Sequence, residues 1–217
     1  MDIGVELVEA YLRLNGYFTI SEFEVLRETT PGTYQTVTDV DIIAVRFPGP
    51  VYIADSHGKG ESPSLLVEDP TLQLEEDIVD VIIGEVKQGE AVFNAGLTNH
   101  HTLHTVLQRV AWLYQDDVHQ VARDLEKHLV CYQAEPTDRK VRTRLVAFGR
   151  SPINDLHTIS LTHVFEKMIG QFEEYGDALR AAQFKNPAAA LIRLLVKTGF
   201  EIKKDPGQQP GSGPEPR

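Results

Sequence analysis

The order of its hydrophobic segments predicts an α/β domain with a mixed central β-sheet flanked by helices. Two unbroken apolar runs rich in β-branched residues, Asp41-Ile-Ile-Ala-Val-Arg46 and Asp80-Val-Ile-Ile-Gly-Glu-Val-Lys87, read as strands buried on both faces. An amphipathic helical period opens the chain and another closes its folded part. From end to end the pattern runs helix, three strands, helix, two strands, helix, the alternation that builds an α/β domain.

Residues 3–14 predict the first helix, with an apolar stripe of Leu7, Val8, Tyr11, Leu12 and Leu14, Asp2 as N-cap and Asn15-Gly16 as the stop. Alternation over 17–26 predicts a strand, and Pro31-Gly32 turns the chain into the Asp41 strand at 37–47, which Pro48-Gly49-Pro50 ends. Residues 48–77 predict an insertion or hairpin, with a strand at 51–54, a loop at 56–63 and an apolar piece at 65–67. Gly58, Lys59 and Gly60 lack the spacing of a phosphate loop. After Lys87, helices are predicted at 97–114 and 118–127. Strands follow at 129–133 and 144–148 around a turn at 135–138. A short strand at 157–161, a helix at 163–175 and a helix at 187–198 complete the body, with Pro187 in the first turn of the last. Residues 1–204 form one predicted domain, and the Gly/Pro/Gln/Ser-rich residues 205–217 a disordered tail.

The composition is that of a globular chain of 217 residues, 41% hydrophobic and 24% charged. No apolar stretch approaches the roughly 20 residues of a membrane helix, and the N-terminus has no signal-peptide pattern. One cysteine, Cys131, excludes an internal disulfide, and a cytoplasmic setting is expected. Cys131 and Trp112 are expected in the core. A net charge of −11 argues against a general nucleic-acid coat protein. The charge is uneven: 68–90 holds eight acidic residues and one basic, and 123–150 holds seven basic and four acidic. The second segment suits either a phosphate-gripping surface or an ordinary solvated face.

Glu85 and Lys87 are two apart on one strand and share a face. A carboxylate and an ammonium at the end of a buried run are costly to place without a partner. If the Asp41 strand lies alongside, two carboxylates and a lysine converge in a site for a hard cation. Asp39 shares the Asp41 face and competes for its role, with Asp41 favoured because it adjoins the buried run. The histidines His100, His101 and His104 invite a zinc reading, yet no glutamate stands between them in hydrolase spacing, so a polar helix start is the expectation.

Thr38-Asp-Val-Asp41-Ile-Ile-Ala-Val, Ile83-Gly-Glu85-Val-Lys87-Gln88 and the helix Glu6-Leu-Val-Glu-Ala-Tyr-Leu-Arg-Leu-Asn-Gly-Tyr17 together resemble the PD-(D/E)xK superfamily of restriction-endonuclease-like nucleases. The resemblance covers roughly residues 3–115, with Val40-Asp41 where the motif name has Pro-Asp. It implies a restriction-endonuclease-like three-layer fold and a Mg²⁺-dependent nuclease acting on nucleic acid, DNA foremost, with Mn²⁺ able to substitute. It further implies that Asp41, Glu85 and Glu6 hold the metal, and that Lys87 orients or deprotonates the attacking water or stabilises charge on the phosphate. Glu9 is the alternative to Glu6, and Gln88 an auxiliary residue. The acidic total predicts salt-sensitive binding unless a homodimer or partner adds basic surface. The rival expectation is a catalytically silent nucleic-acid-binding or protein-interaction module that kept the fold.

Overall fold

The computed structural model describes residues 2–54, 64–65, 68–115, 117–134, 140–176, 179 and 186–200. The expected loop at 56–63, most of the apolar piece at 65–67, the turn at 135–138 and the tail lie outside them. The elements are α1 (Ile3–Leu14), β1 (Phe18–Thr30), β2 (Thr33–Arg46), β3 (Tyr52–Ala54), β4 (Ser64–Leu65), β5 (Ile78–Glu90), α2 (His100–Leu107), α3 (Val118–His128), β6 (Val130–Ala134), β7 (Lys140–Arg150), β8 (Thr158–Ser160), α4 (Leu161–Glu174) and α5 (Pro187–Lys197). Short 3₁₀ turns precede β5 at Pro70–Leu72 and follow α2 at Gln108–Leu113. No described helix is long and apolar enough to cross a membrane.

The main sheet runs β1-β2-β5-β7-β6, and β8 pairs β7 beyond the end of β6. It is mixed: β1/β2, β2/β5 and β6/β7 are antiparallel, while β5/β7 and β7/β8 are parallel. Alternation along β5 sends Ile82 and Val86 to a core shared with α1, α4 and α5, and Val79, Val81 and Ile83 to a second core under α2 and α3. Burial on both faces is why these runs carry no polar alternation. The insertion between the central strands forms a separate two-stranded sheet, β3-β4.

Two expectations are corrected. Trp112 is 68% exposed and stacks on Phe47, with ring centroids 6.5 Å apart. The helix expected over 97–114 stops at Leu107 and tightens into a 3₁₀ turn, with Val110 at φ −124°. The shorter period turns Trp112 outward while Leu113 and Tyr114 stay buried. The supposed phosphate-gripping segment, in turn, has its two central arginines inside the protein. Arg142 and Arg144, two apart on β7, are both essentially buried and converge on Asp80 of β5.

Close approach at one glycine shapes the end of β5. The β5/β7 register runs regularly to Val86↔Phe148 and resumes at Glu90↔Arg150, so β5 carries extra residues between them, Lys87 among them. Gly149 makes room for this bulge: a Cβ there would lie 2.8 Å from the Ala91 nitrogen and 2.9 Å from the Gly89 oxygen. Both contacts are backbone and cannot swing aside. Gly149→Ala is expected to cost about 1–3 kcal/mol, read as a lower urea midpoint at unchanged slope. Wild-type stability in that variant would show that the bulge does not press on β7.

Candidate metal centre

The site forms where two central strands part. Antiparallel pairing of β2 with β5 ends at Ile42↔Gly84, so the next residues, Asp41 and Glu85, face each other at the fork. Beyond it β2 continues with β1 and β5 with β7, which leaves the Val86 N–H without a β2 carbonyl. The Asp41 side chain takes that place, Oδ2 accepting from the Val86 nitrogen at 2.7 Å. A strand end thus becomes a fixed carboxylate beside a second one.

Glu85 is 2% exposed. Its Oε1 is paired with the Lys87 ammonium, while Oε2 is buried and makes no hydrogen bond. A buried carboxylate oxygen without a donor is costly unless a cation or proton occupies it. The electrostatics agree. Burial pushes the Glu85 carboxyl above its usual range, Lys87 opposes, and the neighbouring Asp41 adds to the rise. Asp41 is likewise raised by burial, against the pull of the Val86 N–H and Lys87, with Asp2 and Asp39 adding repulsion. Lys87 is held above the usual lysine range, first by its hydrogen bond to Glu85, with burial opposing. Without a metal beside it, Glu85 therefore holds it as a cation at neutral pH.

The other expected residues have different places. Asp39 is exposed at the β2 position opposite Glu24, and reaches Asp41 through its charge. Glu6 turns to α5: its Oε2 accepts from Asn186 Nδ2 at 2.6 Å, and the same amide donates to the Glu6 carbonyl, tying α1 to the start of α5. Glu9 is buried on β1, accepting from Arg13 Nη2 at 2.7 Å, Thr19 Oγ1 at 3.0 Å and Ser21 Oγ at 3.3 Å. Instead, the helix start reaches the fork, one turn before Glu6. Gly4 packs on Val86, and Asp2, which caps the helix through the Gly4 N–H, accepts from Gln88 Nε2 at 3.4 Å and bears on Asp41 electrostatically. Asp2 is the acidic neighbour that sequence reasoning read only as a cap. Its link to Gln88, which points to the opposite strand face from Glu85 and Lys87, was not visible from spacing.

Among the described residues no three His, Cys, Asp or Glu side chains converge as a closed metal cage. Two carboxylates with one orphaned oxygen do fit Mg²⁺, which keeps several waters and commonly takes one or two protein carboxylates plus substrate oxygens. No family model, curated protein or solved structure matches this chain. The functional reading therefore stands on the fork itself.

Proposed function

We propose that this chain is a Mg²⁺-dependent phosphodiesterase of restriction-endonuclease-like fold that hydrolyses nucleic acid, DNA foremost. The observation that carries the reading is the buried, unpartnered Oε2 of Glu85 next to Asp41, with a protonated Lys87 on the same strand. Asp41 and Glu85 would hold the ion, which when bound supplies charge neutralisation and an acidified water. Mn²⁺, also content with carboxylate and water oxygens, would substitute. Lys87, half-exposed at the fork, would hold its ammonium against a phosphate oxygen and stabilise the charge that grows there in the transition state. Asp41 keeps its place because the Val86 N–H fixes one carboxylate oxygen, which preorganises the pair.

The surface fits a weak grip on nucleic acid. With Arg142 and Arg144 spent on Asp80 and a net charge of −11, binding would be salt-sensitive, and a homodimer would widen the contact surface. Supercoiled plasmid incubated with Mg²⁺ or Mn²⁺ tests the proposal. Nicking is expected for the wild type, with none for Asp41→Ala or Lys87→Ala, and Glu6→Ala should stay active because its carboxylate serves Asn186. A folded wild type that binds DNA and cuts it with neither metal would sink hydrolysis and leave the silent interaction module.

A further inference from the structure

A second cluster of ligating side chains lies where the first turns of α2 and α3 meet. His100 opens α2 behind its Asn99 cap, His104 follows one turn later, and His119 sits in the first turn of α3 behind Asp117. The three imidazole rings are nearly parallel: His104 and His119 stack with centroids 3.7 Å apart at 10°, and His100 lies 5.7 Å from His119 at 14°. Across the helix boundary, His100 Nε2 faces His119 Nδ1 at 3.4 Å.

That separation is long for a hydrogen bond between two ring nitrogens. Two nitrogens bound to one tetrahedral ion at 2.0–2.1 Å stand about 3.3–3.4 Å apart. The neighbours hold this arrangement. His104 covers one face of His119, while its own Nε2 is taken by Gln108 Nε2 at 3.1 Å, so it braces the pair and does not join it. His100 Nδ1 is buried without a partner, so its tautomer is free to present the Nε2 lone pair, with the Nδ1 proton then lacking an acceptor among the described residues.

We propose that His100 and His119 bind a first-row transition-metal dication of the Zn²⁺ class, clipping α2 to α3 and leaving its remaining positions to water or a further ligand. Imidazole nitrogen selects this class over Mg²⁺, so the site is chemically distinct from the carboxylate fork. An ion there binds only when both helices are docked, and so stabilises that packing by mass action.

Titrating the tag-free full chain with Co²⁺, followed by its visible absorption, and then displacing Co²⁺ with Zn²⁺ tests the site. In the Asp41→Asn background, which disables the carboxylate fork, one saturable equivalent is expected, and it is kept when His104→Phe, which preserves the stack, is added. His119→Ala should lose the signal and weaken Zn²⁺ binding by at least about tenfold. His119 is exposed, and an unchanged circular dichroism melt in its metal-free variant will show that the fold is kept. No saturable Co²⁺ signal in the Asp41→Asn background, or one that survives His119→Ala there, overturns the proposal.

Discussion

Asp80→Asn is expected to cost about 3–5 kcal/mol, the effect of removing one partner from a buried ionic cluster. Against a typical total of about 5–15 kcal/mol, that brings the chain to the margin of folding. Asp80 Oδ1 accepts from Arg142 Nε at 2.6 Å, and Oδ2 from Arg144 Nη2 at 2.9 Å and from the Tyr17 hydroxyl at 2.5 Å. The guanidiniums also donate to the carbonyls of Leu72, Gln73 and Leu156, so the cluster fixes β5, β7, the start of β1 and the 3₁₀ turn before β5 together. Asparagine keeps the shape but leaves two buried guanidiniums without their full counter-charge. Urea denaturation should show a lower midpoint at unchanged slope. A midpoint within about 1 kcal/mol of wild type would mean that the carbonyl contacts and the Glu75 ion pair suffice to hold the arginines.

The same carboxylate sets an acid limit. Burial alone would raise Asp80, but the Arg144 and Arg142 guanidiniums outweigh it and hold the carboxyl below its usual range. A folded value below the unfolded one stabilises the protein above the ordinary aspartate pKa of about 3.9, and that share is lost as pH falls through the folded value. Asp69 adds to the same limb: burial pushes it up, while the Thr71 N–H, the Tyr11 hydroxyl and His163 hold it down more strongly.

This pattern shows what the sequence could and could not convey. The strands at 41–46 and 80–87 were legible because burial on both faces leaves an unbroken β-branched run. The outer part of the β1/β2 hairpin was not, since residues 26–30 and 33–36 are exposed, largely polar and pair only with each other. Charge in a sequence carries no record of burial, so Arg142 and Arg144 were read as surface. Their two-residue spacing in an otherwise apolar strand, with a lone aspartate beginning the neighbouring apolar run, was the available signal. At the fork, strand periodicity put Glu85 and Lys87 on one face, while Asp41 joined them through the assumed pairing of the two apolar runs and the family resemblance. The α1 contribution was not legible, because the tilt of a helix over a sheet decides whether its cap or its second turn reaches the site.

Glu85→Gln is expected to raise stability while removing the proposed activity. The carboxyl at this position sits above its ordinary range, so its ionisation weighs against the folded state. The sign is opposite to that of Asp80: the contribution is favourable below the unfolded glutamate value and is lost as pH rises through the folded one. Glutamine is the neutral isostere and should hold that contribution at every pH. In metal-free buffer at pH 7 the gain should be on the order of 1 kcal/mol, or about 2–4 °C in Tm for a chain of this length. The salt bridge to Lys87 does not reverse the sign, because burial and Asp41 keep the carboxyl above its ordinary range with the pull of Lys87 already counted. Added Mg²⁺ should stabilise the wild type and leave Glu85→Gln unmoved, since the orphaned oxygen is the part of the site the ion would satisfy. Plasmid cleavage should fall by more than about 100-fold, because even outer partners of metal ligands cost about 10–100-fold when removed. A metal-free Tm below wild type would show that Lys87 already compensates Glu85. A Tm above it with cleavage retained would keep the electrostatic account of the fork and remove Glu85 from the chemistry.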